Sequence, residues 1–93
     1  MTDLAAENVK FTNALRYAAK ILGHDKLAVG PKPASEAQQH LRLRQALREA
    51  VRQMRAIAEP VGSMHGYWDD IGDFEALLSG GQPRLDWSVD HTK

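Results

Sequence analysis

Apolar side chains recur at helical spacing in two long stretches of the chain. Leu43, Leu47, Ala50, Met54 and Ile57 follow one another at intervals of four, three, four and three, which places them on one stripe of a helix. Ser35 with Gln38 three positions later has the pattern of a capping box, and Pro60 and Gly62 mark the other end. The predicted helix covers 36–59, roughly 36 Å at 1.5 Å per residue. Upstream, Leu4, Phe11, Leu15, Ala18 and Leu22 line one face of a helix over 3–22, and Ala14 and Ile21 widen it. Asp3 is the expected N-cap, Glu7 lies near the positive end of the helix dipole, and Gly23 is the stop. Asn8 occupies the seam position between Leu4 and Phe11. It is either a buried register-setting residue or, as is commoner near a helix start, a solvated one.

Between these helices, 23–34 reads as a linker. Gly30-Pro31-Lys32-Pro33 cannot continue a helix, and the connection is long enough for an antiparallel return, with Leu27 and Val29 tucked beneath it. Val61 to Tyr67 reads as a turn with room for a short helical piece. A short helix is expected over 70–79, with Asp70 as its cap, Asp73 in its first turn, and Ile71, Phe74, Leu77 and Leu78 on one face. Gly80-Gly81 ends it. The tail, 80–93, alternates apolar and polar residues through Arg84-Leu85-Asp86-Trp87-Ser88-Val89-Asp90, the signature of an extended segment that lies along a groove, pairs as an edge strand or stays loose.

The fold expected is a single all-α domain over 1–93. An antiparallel hairpin of two long helices carries a short third helix and an extended C-terminal tail. Ninety-three residues bury a limited core, and much of the apolar content is alanine. Symmetric dimerisation into a four-helix bundle is the expected remedy, with Leu43, Leu47, Met54, Ile57, Phe11, Leu15 and Leu22 forming the dimer or core seam. The alternative is a monomer whose stripe is covered by the third helix and Trp87.

Composition narrows the function. Hydrophobic residues make up 43% and charged residues 26% of the chain, a balance that suits a folded domain. Cysteine is absent, which removes disulfides and thiolate metal sites. No run approaches a membrane span, and the N-terminus lacks a signal-peptide pattern, so a cytoplasmic location and no membrane partner are expected. Formal charge is zero but polarised: residues 1–59 hold ten Lys or Arg against six Asp or Glu, and residues 60–93 hold two against six.

Arg44, Arg48, Arg52 and Arg55 form a second stripe within about 80° of one another on the helical wheel, with Arg42 on the back face. They point to an acidic protein surface or a nucleic-acid backbone, since arginine pairs bidentately with carboxylate and phosphate. The blander reading is a solvated flank whose stems shield the core edge. Tyr67, Trp68 and Trp87 are the expected aromatic anchors of a partner surface, although an aromatic here also suits core packing. Asp69, Asp70, Asp73 and Glu75 cluster, but a helix N-terminus attracts carboxylates on electrostatic grounds alone, and the spacing is not that of an EF-hand. His24, His40, His65 and His91 are scattered, and no nucleophile elbow or phosphate-binding loop occurs. No catalytic residue, metal ligand or cofactor is expected.

The function expected is therefore non-enzymatic: a protein-protein interaction module, such as a small adaptor, inhibitor or regulator, that acts by surface occlusion and forms a homodimer. The alternatives are a nucleic-acid-binding regulator that uses the arginine stripe and a structural subunit of a larger complex.

Overall fold

The computed structural model describes residues 3–23 and 35–92. Among them it contains three helices and no strand: α1 (Leu4–Leu22), α2 (Glu36–Val61) and α3 (Tyr67–Ser79). Most of the predicted linker, with Leu27 and Val29, lies outside the described residues.

The helix starts arise from local chemistry. The Asp3 carboxylate accepts from the backbone N–H groups of Ala5 and Ala6 at 3.0 and 3.4 Å. Ser35 Oγ accepts from Gln38 N at 3.2 Å, which satisfies donors that the first turn leaves without an intrahelical partner. Gly23 ends α1 at φ 74°, a conformation that favours glycine. α2 runs through Pro60 to Val61, two residues past the predicted stop. A proline in the last turn forfeits one backbone bond but leaves Val61 free to stay helical. The helix ends instead at Gly62 (φ 105°), whose N–H reaches Ala58 O at 2.9 Å.

α3 begins at Tyr67, a turn before the expected cap. Asp70 is therefore a helical residue, and the first turn is secured from outside the helix. His65 Nδ1 accepts from Tyr67 N at 3.1 Å, and Trp68 Nε1 donates to Gly62 O at 2.9 Å. The histidine must present Nδ1 as its unprotonated nitrogen to make this bond.

Contacts between the helices give their directions. Asn8 Nδ2 donates to Glu36 O at 3.2 Å, and Asn8 Oδ1 pairs with His40 Nδ1 at 3.1 Å. Phe11 meets the His40 ring edge-on at 5.3 Å and lies under the Arg44 guanidinium at 5.9 Å. At the far end of α1, Ile21 O accepts from the Tyr67 hydroxyl at 2.9 Å, just beyond the end of α2. Early residues of α1 thus meet early residues of α2, and the end of α1 meets Tyr67, just past the end of α2. This corrects the expected antiparallel hairpin: α1 and α2 run in the same direction. The physical reason is reach. Twelve extended residues span roughly 40 Å, more than the roughly 28 Å length of a 19-residue helix, so linker length is compatible with either direction. α3 runs against α2, with Trp68 at Gly62, Glu75 on Arg55 and the Leu78 carbonyl on Arg44.

The tail completes the core. It is not a strand but a chain of turns: Asp86 Oδ1 accepts from Ser88 N at 3.0 Å and Asp90 Oδ1 from Thr92 N at 2.9 Å. It lies along α1, with Asn13 at Trp87, Arg16 at Asp90 and Lys20 at Thr92. The largest fully buried side chains are Trp87, Phe11, Phe74, Leu43, Leu47 and Met54. Trp87 is 1% exposed, its ring 5.2 Å from Phe74, 5.5 Å from Tyr17 and 5.1 Å from His91. Burying an indole is worth about 4 to 6 kcal/mol at ~25 cal/mol per Å² over ~150–250 Å². Its Nε1 is buried and has no acceptor among the described residues, at a cost of about 1–3 kcal/mol, so the net effect remains stabilising.

Of the expected seam, Leu43, Leu47, Met54, Phe11 and Leu15 are buried within the single chain, Leu22 is half-buried, and Ile57 is 45% exposed. The stripe is covered by α3 and Trp87.

Replacing Trp87 tests this arrangement. Trp87→Ala should lower unfolding free energy by about 3–5 kcal/mol, read as a shift of the urea midpoint by circular dichroism. An unchanged midpoint would show that the indole is not part of the core.

Candidate interaction surface

The outer ridge of α2 carries Leu41, Gln45, Arg48, Arg52 and Arg55 at helical spacing, all exposed, with Leu41 at 60%. The four arginines of the predicted stripe do not share one fate. Arg44 turns away from solvent. Its Nη2 donates to Leu78 O at 2.6 Å and its guanidinium covers Phe11, so a cation sits at the negative end of α3. Arg55 Nη2 reaches Glu75 on α3 at 2.6 Å. Arg52 holds Glu49 of its own helix through Nε at 2.9 Å and through Nη2, and that guanidinium keeps the Glu49 carboxyl below the usual glutamate range. Arg48 is exposed and has no partner among the described residues.

The aromatic residues do not join this ridge. Tyr67 and Trp68 are half-buried staples whose polar ends donate to Ile21 O and Gly62 O. Trp87 lies in the core and offers nothing to a partner while the tail is seated. Sequence reasoning missed the residues that seat it. Asn13 Nδ2 donates to Trp87 O at 2.9 Å. Asp73, 3% exposed, accepts from Arg84 N and Leu85 N, each at 3.1 Å. The Arg84 guanidinium lies 3.7 Å from both Asp70 and Asp73. The available signal was an i, i+3 aspartate pair on the side of the helix that also carries Phe74 and Leu77.

Two of the clustered carboxylates, Asp70 and Asp73, thus clasp the tail. Among the described residues no group of three or more His, Asp or Glu is arranged to hold a metal ion. Burial raises the Asp70 carboxyl above the ordinary aspartate value. Arg84 opposes that shift, Asp73 and Asp69 add to it, and the Tyr17 hydrogen bond lowers it. The Tyr17 phenol is also raised, by burial first and then by the charge of Asp70. A cleft of about 450 Å³ between α1 and the tail is lined by Glu7, Lys10, Leu77, Arg84 and Asp86, with no histidine or hydroxyl nucleophile on its walls. No helix among the described residues is long and apolar enough to cross a membrane.

The raised Asp70 gives a signed pH effect. The folded chain holds this proton more tightly than the unfolded chain. The resulting stabilisation is fully present below the ordinary aspartate pKa and is lost as pH rises through the folded value. Urea denaturation of wild type and Asp70→Asn across the acidic range should show a stability difference that changes in this window. Parallel profiles would contradict the assignment.

None of the protein-family models, curated proteins or solved structures compared with the chain matches it.

Proposed function

We propose that the chain is a non-enzymatic protein-interaction module, a small adaptor, inhibitor or regulator that acts by covering a partner's surface with the outer ridge of α2. One observation carries the reading: Leu41 and the unpartnered Arg48 stand exposed, two helical turns apart, on a face the core does not use. An exposed leucine supplies apolar contact, and a free guanidinium forms a bidentate pair with a carboxylate. Arg52 and Arg55 flank them, and their local carboxylate partners limit what they add. The complementary surface is therefore mildly acidic with an apolar recess, and its recognition is steered by charge.

The nucleic-acid reading has weaker support, because three of the four arginines already have acceptors within the chain and net charge is zero. A structural subunit of a larger complex would use the same ridge in a permanent contact. A dimer that shares the leucine seam gains no support from side chains buried within one chain.

The test is a Leu41→Ser, Arg48→Glu variant. Both positions are exposed, so the helical circular dichroism spectrum should match wild type. Capture of a discrete protein partner from cell lysate should fall by about tenfold or more, or ~1.4 kcal/mol. Undiminished capture would reject the ridge. Duplex binding that weakens steeply with salt and is lost in the same variant would replace this reading with the nucleic-acid one.

A further inference from the structure

The tail is seated as a bound peptide would be. The segment 84–92 folds on itself through its own turns. Ser88 N and Oγ both donate to Asp86 Oδ1, Thr92 N donates to Asp90, and His91 Nε2 meets Asp86 O at 2.7 Å. Its attachment to the helices is made by one buried anchor and a set of polar clasps. The anchor is Trp87, against Tyr17 of α1 and Phe74 of α3. On the α3 side, Asp70 and Asp73 hold Arg84, and Asp73 also accepts from the Arg84 and Leu85 backbone. On the α1 side, Asn13 donates to the Trp87 carbonyl, Arg16 lies 3.6 Å from Asp90, and Lys20 Nζ donates to Thr92 O at 3.3 Å. Lys10 adds positive charge opposite Asp86. The trough between α1 and α3 is acidic where the tail is basic and basic where the tail is acidic.

These clasps do not require that trough and tail belong to one molecule. The connection between them is Gly80-Gly81-Gln82-Pro83, with Gly80 in the left-handed region at φ 79°. Two glycines give a joint that changes direction at little steric cost, and exchange of an element through a short hinge loop is a low-cost route to dimers of identical chains. We propose that the trough is a docking site for the tail of a second copy of this chain, and that two copies exchange residues 84–92 reciprocally to form a dimer. Such a dimer creates no new chemistry at the trough, because each clasp is remade with the same partner atoms. It is independent of the α2 ridge. The tethered tail competes at an effective concentration in the millimolar range, so dilute chains hold their own tails and exchange grows as concentration approaches that range.

Because the chain has no cysteine, introduced thiols report without background. A chain carrying Arg16→Cys is mixed with one carrying Asp90→Cys at about 1 mM, near the effective concentration of a short tether. The mixture is equilibrated with warming and joined by a short bis-maleimide. The cross-linked peptides are then identified by mass spectrometry. Exchange predicts that links between position 16 of one chain and position 90 of the other outnumber the 16–16 and 90–90 links together, and that their excess grows with equilibration time. A single chain carrying both substitutions, cross-linked at micromolar concentration, should give the intramolecular 16–90 link, which shows that the variants keep the tail seated. With that control positive, mixed links at or below the number of like links would overturn the proposal.

Discussion

The seating of Trp87 is the contact on which the rest of the molecule depends. α1 and α2 bring a stripe of leucine, alanine and methionine together, and α3 adds Ile71 and Phe74, but the gap between α1 and α3 is filled from the tail. The indole closes it, and the polar groups around it fix the angle of entry. Asn13 takes the carbonyl of Trp87 itself, and Asp73 takes the two backbone donors that precede it. Asp70 is buried at a desolvation cost, offset in part by Arg84. Removing Arg84 would leave that carboxylate uncompensated, at a greater cost.

A second polar group sets the relation of the first two helices. Asn8 is 5% exposed and ties α1 to the Glu36 carbonyl and to His40. A one-residue slip of α2 would leave the amide unpaired in a dry site, at about 1–3 kcal/mol. Apolar surfaces slide past one another at low cost, whereas a buried amide with two fixed partners does not.

What was legible in the sequence was local. Asp3 and Ser35 announce their helices because a cap needs only its own next three residues. The stripes through Leu15 and Leu47 declare their buried face because periodicity is a property of one helix. What was not legible depends on distant partners. Asp70 looks like a cap, yet α3 starts earlier because His65 and Trp68 secure its first turn. Direction is not written in a linker long enough for either outcome. Trp87 resembles a surface anchor when read beside Ser88 and Val89, and only the meeting with Tyr17 and Phe74 makes it core. The arginines share a stripe, but whether each is free depends on Glu49, Glu75 and the end of α3. At the candidate surface periodicity put four arginines on one stripe, and the structure separated Arg48 from the other three and set the exposed Leu41 on its ridge.

The place of residue 87 also governs the order of events during synthesis. α1 and α3 are polymerised before the indole that joins them, so a growing chain carries Tyr17 and Phe74 without the ring that covers them. Closure waits until residues 84–92 have emerged. Through that interval the ring faces that Tyr17 and Phe74 give to the indole stay open to solvent, the condition that makes unfinished chains prone to aggregation.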